Sequence, residues 1–346
     1  MKHDPIQATS NFLKFEKEKE LYSLRTAKGN YYWPVLRYEV IRVLFEIGRI
    51  RGARKFKKEQ RWQKIFRFSK MMFHWGRIFL FPSSKYRYIL YANSRTRNEE
   101  GAQYDLYQNH ILESLGDECL LIESHDNKGA FPYKQGAPLL YPILILRPLL
   151  TDFWVNRLVK EEFTELRELL KEYYPEHNFD LTFLRRFYLW YRLDLLFYRG
   201  LFSRLPNARA VFFIRNNTQN GLVEAASERN ILTLESIHGI MHKYVTPSPH
   251  IVEGITLDHP AIFPLDYMLA FSDYVGRYNE QPTRQTVVIG NDILAKKKNI
   301  PVAQRNQFRT LLVVPQLADG EILMELSLKV AVQNPDWQII FKVKPS

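Results

Sequence analysis

The sequence predicts an α/β protein in which a Rossmann-like parallel-sheet domain is followed by the start of a second Rossmann-like domain. Three observations lead there. Short apolar runs of four or five residues alternate with helix-period segments, the pattern of a parallel sheet covered on both faces. A polar, basic stretch at 296–308, containing Pro301, interrupts that alternation, and a fresh strand–helix–strand unit follows it. The chain has 346 residues, 46% hydrophobic and 14% aromatic, which suffices for two packed domains and is too apolar for a disordered chain.

Residues 1–85 read as an N-terminal extension. From 13 to 50, short extended stretches mix with an amphipathic helix pattern over about 33–47. A basic segment follows. Between Arg49 and Arg77 lie eleven Lys or Arg and one acid, Glu59, which leaves a net +10 of the chain's +12. The global basicity is therefore one local patch. From Trp62 on, the helical period puts Trp62, Ile65, Phe66, Met72, Phe73 and Phe79 on one side. Lys64, Arg67, Lys70 and Arg77 fall towards the other. A cationic amphipathic helix of this kind suits an anionic membrane surface. It equally fits a solvated helix docked on the sheet by its apolar face. RNA is a third reading, but the chain carries no RNA-recognition signature and no nucleic acid is expected. The segment ends at Pro82-Ser83-Ser84.

Residues 86–295 read as one doubly wound domain. Strands are expected at 88–92, 119–123, 210–214, 231–235, 267–270 and 286–289, and helices at 104–115, 152–173, 180–202 and 219–229. The aromatic stripe Phe183, Phe187, Trp190 and Tyr191 reads as core. Residues 296–308 are the linker. Residues 309–346 then supply strand 310–314, helix 320–333 and strand 338–341. A lone βαβ unit cannot bury both faces of its sheet, so the sequence predicts the incomplete beginning of a domain that continues in a longer protein.

Several function classes are disfavoured at this level. The single cysteine, Cys119, sits in an apolar run and reads as a buried structural thiol, with no disulfide framework and no multi-cysteine zinc site. The start, Met1-Lys2-His3-Asp4-Pro5, has no apolar signal core, and no stretch reaches the ~18 apolar residues of a membrane span. A cytoplasmic protein is expected, possible at the inner membrane as a peripheral one. There is no Gly-x-Gly-x-x-Gly, no Walker loop and no Asp-x-Asp. Neither a cofactor nor a metal is expected.

Ligands of open parallel sheets bind beyond the carboxyl ends of the strands. Those ends deliver Ser94 and Arg95, then Arg215 and Asn216, as candidate substrate-binding residues. The next strand runs into Glu235-Ser236-Ile237-His238-Gly239-Ile240-Met241-His242-Lys243-Tyr244, where a carboxylate and two imidazoles gather just past a strand. Group transfer needs a base for an acceptor proton or a group that stabilises a leaving phosphate, and histidine does either near neutral pH. Glu235, His238 and His242 are the catalytic candidates, and Gly239 and Tyr244 would contact substrate. A structural loop, with Glu235 holding backbone amides, would use the same residues. In the last unit, Gln316 and Gly320 stand at a strand end and a helix start suited to phosphate.

These segments resemble, in order, the bacterial capsule and lipopolysaccharide glycosyltransferases of GT-B type. Glu235-x-x-His238-Gly239 with His242 and Tyr244 is similar to their first-domain Glu-x-x-His-Gly loop. Tyr32-Trp33-Pro34-Val35-Leu36-Arg37 resembles their Trp-x-x-x-Arg opening. Asp266-Tyr267 resembles a Pro-Asp-Tyr strand, Gly290-Asn291 the Gly-Asn turn closing the first domain, and Val314-Pro315-Gln316 with Gly320-Glu321 the first donor-domain loop. Lys342-Val343-Lys344-Pro345 resembles Lys-x-His-Pro, with Lys344 where histidine is usual. The resemblance spans the chain from about residue 30. It implies transfer from a nucleotide-sugar, whose phosphates Lys342 and Lys344 would help hold, to a growing or lipid-linked polysaccharide. Lys344 would hold phosphate as a fixed cation but is a poor acid at neutral pH. A CDP-alcohol polymer glycerophosphotransferase and a non-enzymatic basic membrane or RNA-binding protein are the alternatives.

Overall fold

In the computed structural model, the residues described are 5–45, 73, 75–76, 78–92, 96–97, 103–104, 109–123, 139–140, 152–160, 163–214, 220–237, 256–259, 263–278, 283–290, 309–313 and 320–341. Chain contacts divide the protein into two units, Met1–Ile47 with Lys55–Asn291, and Gly48–Arg54 with Asp292–Ser346.

The first unit is built on seven parallel strands. They are β1 (Tyr88–Ala92), β4 (Cys119–Glu123), the two-residue β5 (Leu139–Leu140), β6 (Ala210–Phe213), β7 (Leu232–Ser236), β8 (Leu265–Ala270) and β9 (Thr283–Val288). Two short strands, β2 (Thr96–Arg97) and β3 (Gln103–Tyr104), pair antiparallel with each other outside this sheet. The sheet order is β5-β4-β1-β6-β7-β8-β9. The chain lays strands outward from β1 on one side, then returns to the other side of β1 and proceeds outward again. That is the doubly wound, Rossmann-like order, and its switch point lies between β1 and β6.

Side-chain alternation sorts the two faces. Ile89 and Tyr91 of β1, Leu120 and Ile122 of β4, and Val211 and Phe213 of β6 join one core. Leu90, Leu121 and Phe212 face the other way, against Leu112 of α3 (Asn109–Leu115). Because both faces are covered, these strands read as continuous apolar runs, and the expected 88–92 and 119–123 are reproduced. β9, at the edge, is mostly exposed, and its polar start (Thr283, Arg284, Gln285) escaped the apolar pattern.

The helices diverge more from expectation. An unpredicted α1 (Pro5–Glu18) precedes α2 (Trp33–Leu44). The single helix expected over 152–173 is two, α4 (Asp152–Leu158) and α5 (Thr164–Tyr173), because Val159 and Phe163 at the break both turn fully into the core. Phe163 there meets Tyr32 and Tyr188 edge-on at 5.0 and 5.3 Å. Of the helix expected over 104–115, Asn109–Leu115 is helix, and Gln103–Tyr104 is strand.

α6 (Leu181–Ser203) is 23 residues long, about 35 Å at 1.5 Å per residue. Its N-terminal half packs with α1, α2, α4 and α5 into a core of helices, where Phe187 is buried and Phe183, Trp190 and Tyr191 pack as the expected stripe. Its C-terminal half packs on the sheet with α7 (Asn220–Ser227). Residues 5–45, read from sequence as an extension, thus belong to the same unit as the sheet.

The second unit holds β10 (Arg309–Val313), α9 (Gly320–Gln333) and β11 (Trp337–Phe341), with β10 and β11 paired in parallel, the expected βαβ unit. A short α8 (Asp273–Tyr278) belongs to the first unit. No helix among the described residues is long and apolar enough to cross a membrane.

Candidate functional site

The carboxyl edge of the sheet at β1, β6 and β7 is the place that the strand order marks for a ligand. β1 ends at Ala92 and β6 at Phe213, side by side, with Tyr91 in register with Phe213. β7 lies against β6 with Phe213 opposite Glu235. Of the thirteen residues expected in the site from sequence, Glu235 and Gly320 are described. Ser94, Arg95, Arg215, Asn216, His238, Gly239, His242, Tyr244, Gln316, Lys342 and Lys344 lie outside the described residues.

Glu235, expected as the last residue of its strand, is the penultimate residue of β7 and only 1% exposed. Its register with Phe213 puts it on the sheet face that carries α6 and α7. Ser236 follows on the opposite face, 2% exposed. Among the described residues its Oγ has no hydrogen-bond partner. A buried hydroxyl left unpaired costs about 1–3 kcal/mol, so an orphan at the rim of a ligand edge marks a group open to a bound polar atom. The sequence delivers Ser236 at the strand end, yet nothing in its residue type set it above its neighbours. Beyond it, the Ile237 N–H donates to the Leu269 carbonyl at 3.1 Å, which extends the β7–β8 pairing to the position just before His238.

The N-terminal segment reaches this edge, which sequence reasoning missed. Asn220 opens α7 directly after β6. Its side-chain Nδ2 donates to the Pro34 carbonyl at 3.1 Å and so ties the start of α2 to the carboxyl side of the sheet. Three residues earlier, Tyr31 receives the Arg25 guanidinium over its ring at 4.2 Å and meets the His259 ring at 5.8 Å. His259 belongs to the described turn 256–259 in the β7–β8 connection. These two contacts, Asn220 with Pro34 and Tyr31 with His259, involve residues that the strand-end rule alone did not select.

The Trp-x-x-x-Arg segment has a structural use. Trp33 and Arg37 are four apart on one face of α2, and both reach Glu16 of α1. The Trp33 Nε1–H donates to Glu16 Oε1 at 2.7 Å, and Arg37 Nη2 donates to Oε2 at 2.6 Å, with Arg37 Nε on Oε1 as well. Burial works against the Arg37 charge, but the Glu16 carboxylate outweighs it and holds the guanidinium above its ordinary range. Tyr22 beside them is pushed up by burial, against the pull of Arg37. Asp266 is structural too. Its Oδ2 accepts from the Thr233 N–H and Oγ1–H, both at 2.8 Å, and locks β8 to β7.

Elsewhere, burial pushes the Cys119 thiol up to about 12, so it is a protonated, inert packing group. Burial also raises Glu224 of α7, against a hydrogen bond from Tyr191 and the charge of Arg199. No cluster of three metal-ligating side chains occurs among the described residues. In the second unit, Gly320 is the first residue of α9. The chain matches no family model, and no curated protein aligns with it.

Proposed function

We propose that this chain is a sugar transferase of GT-B type that moves a glycosyl group from a nucleotide-sugar to a growing or lipid-linked surface polysaccharide. One observation carries the reading. The strand order creates a switch point at β1 and β6, and polar segments follow there and on neighbouring β7 (Ser94-Arg95, Arg215-Asn216 and His238-Gly239). The buried, unpaired Ser236 hydroxyl at the same edge adds to it.

The step is a displacement at the anomeric carbon. The acceptor hydroxyl oxygen forms the new C–O bond, the bond to the donor phosphate breaks, and the nucleoside diphosphate departs with the electron pair. His238 takes the acceptor proton, and Gly239 beside it admits a close substrate. Arg95 or Arg215 offers a fixed cation to the phosphate. The burial of Glu235 suits a positioning role, fixing the imidazole, better than direct proton acceptance.

The test is a transfer assay with a panel of nucleotide-sugars on the full protein. His238→Ala is expected to lower turnover about 10²–10⁴-fold while the melting temperature stays near that of the parent. Near-normal turnover with lost stability would make the loop structural. Use of a CDP-linked alcohol in place of every nucleotide-sugar would turn the reading to glycerophosphate transfer.

A further inference from the structure

Strand β7 carries two buried hydroxyls, and the fold treats them differently. Thr233, in its amino half, is 1% exposed, and Ser236, its last residue, is 2% exposed. The Thr233 hydroxyl is used twice. Its Oγ1–H donates to Asp266 Oδ2 at 2.8 Å, and its Oγ1 accepts from the Asp266 N–H at 3.0 Å. Both bonds run to β8 and hold the two strands together. Three residues on, the Ser236 Oγ has no hydrogen-bond partner among the described residues. A hydroxyl offers one donor and two acceptor positions, and folded proteins rarely bury one with all of them unmet.

Packing does not account for a serine at this position. Ser236 stands in register with Leu269 of β8, and on the β6 side Ile214 follows the residue paired with Glu235. Leu269, Ile214 and the next residue, Ile237, are all buried. An apolar side chain would suit such neighbours and would strand no hydroxyl. Ser236 leaves the sheet on the face of Leu234 and Phe212, opposite Glu235. The helix after β8 lies on the other face, because a Cβ on Gly276 of α8 would sit 3.0 Å from Thr286 Cγ2 and 3.5 Å from the Ala270 Cβ. What distinguishes Ser236 from Thr233 is its place at the carboxyl end of the strand, the edge where ligands of parallel sheets bind.

We propose that Ser236 is a substrate-binding residue, whose hydroxyl donates a hydrogen bond to an oxygen of the ligand held at this edge. The identity of that ligand rests on the sugar-transfer reading. The oxygen belongs to a phosphoryl group of the nucleotide-sugar or to a hydroxyl of the acceptor, and to a serine O–H both are lone pairs of the same kind. The bond forms only in the complex. The free protein therefore carries the hydroxyl at a loss of stability, which binding relieves. Thr233 is the opposite case, a hydroxyl of the same strand whose bonds are internal and permanent.

Ser236→Ala in the full chain separates the two kinds of hydroxyl. Without ligand, the variant is expected to melt at or above the temperature of the parent, because it removes an unpaired buried group. Thr233→Val, the control, is expected to melt several degrees lower, because it leaves Asp266 short of a partner. In the transfer assay, Ser236→Ala is expected to raise KM for one substrate about threefold to tenfold, the worth of one hydrogen bond, with a smaller change in kcat. A rise for the nucleotide-sugar assigns the contact to a phosphoryl oxygen, and a rise for the acceptor assigns it to a hydroxyl. A variant that melts several degrees below the parent, or fails to fold, overturns the proposal, since the hydroxyl then has a partner inside the protein. Unchanged KM values in an active enzyme also overturn it and leave the sugar-transfer reading standing. If the parent transfers from no nucleotide-sugar, that reading fails, and titration with UDP alone decides for the serine. Weaker binding by Ser236→Ala then upholds the contact, and equal binding or none overturns it.

Discussion

The N-terminal half of α6 packs into a core of helices and the residues that connect them, while its C-terminal half packs on the sheet beside α7. Both cores are aromatic and aliphatic, but they fix their geometry by different means. The helical core centres on a charge cluster. Glu16 and Arg37 are buried at 5% and 1% exposed, with Trp33 on the same carboxylate. On the sheet side, the position is set by close approach. A Cβ on Gly221 of α7 would lie 2.7 Å from the Leu195 backbone nitrogen of α6. The contrast has a physical reason. Strands hold their helices through a fixed ladder spacing, so α6 and α7 need only steric fit. α1 and α2 have no ladder, and a bidentate ion pair supplies direction where apolar contact is indifferent to rotation.

The first way to break this contrast is to remove one charge. Arg37→Met keeps volume but leaves Glu16 buried with Trp33 as its remaining donor. Loss of one partner of a buried pair costs about 3–5 kcal/mol, and urea unfolding should show a loss of that size. The double change Glu16→Leu, Arg37→Met removes both charges and should recover most of it, because a buried pair is often no better than apolar side chains of similar volume. A single variant within about 1 kcal/mol of the parent would mean that the ion pair does not register α1 on α2.

The sheet-side counterpart is Gly221→Ala. Alanine normally favours a helix, by about 1 kcal/mol over glycine. Here the added methyl meets backbone and cannot be relieved by a side-chain rotation, so α7 must move from α6. Overpacking of this kind costs about 1–3 kcal/mol. An increase in melting temperature would show that α6 and α7 have room to spare and that close approach does not set their position.

The same contrast explains what could be read in the sequence. Strands β1, β4 and β6 were legible within a residue because burial on both faces makes them continuous apolar runs. α1 was not. Its buried face is Thr9, Phe12, Phe15 and the charged Glu16, at helical spacing but short of an apolar stripe, and the partner of Glu16, Arg37, lies 21 residues away. The break between α4 and α5 was hidden because the helical period continues through it, while in the structure Val159 and Phe163, between the two helices, are both fully buried. For the site, the strand-end rule selected Arg95, Arg215 and the His238 segment from β1, β6 and β7. It could not find Asn220 bonded to Pro34, 186 residues apart, or Tyr31 against His259, because these contacts depend on where the helical core docks. The sequence also ended the strand at Glu235, whereas β7 runs one residue further and Glu235 stands in register with Met268 of β8.

The mildest perturbation sharpens the comparison at the start of the shared helix. Asp180 is the N-cap of α6, with extended backbone (φ −78°, ψ 163°), and its Oδ1 accepts from the Phe183 N–H at 2.6 Å. The cap satisfies one of the amides that the first helical turn leaves open, and its charge complements the positive end of the helix dipole. Asp180→Ala should cost about 1 kcal/mol. The loss belongs to the helical core, because the first turn of α6 carries Phe183 and Leu184 into that cluster while the buried sheet-side residues of the helix begin at Leu195. Hydrogen exchange separates the two. Amides in the first turns of α6 should exchange faster in the variant, and amides from Leu195 to Phe202 should keep the protection they have in the parent. Equal acceleration along the whole helix would mean that α6 opens as one unit, and the division into two independently specified cores would fail.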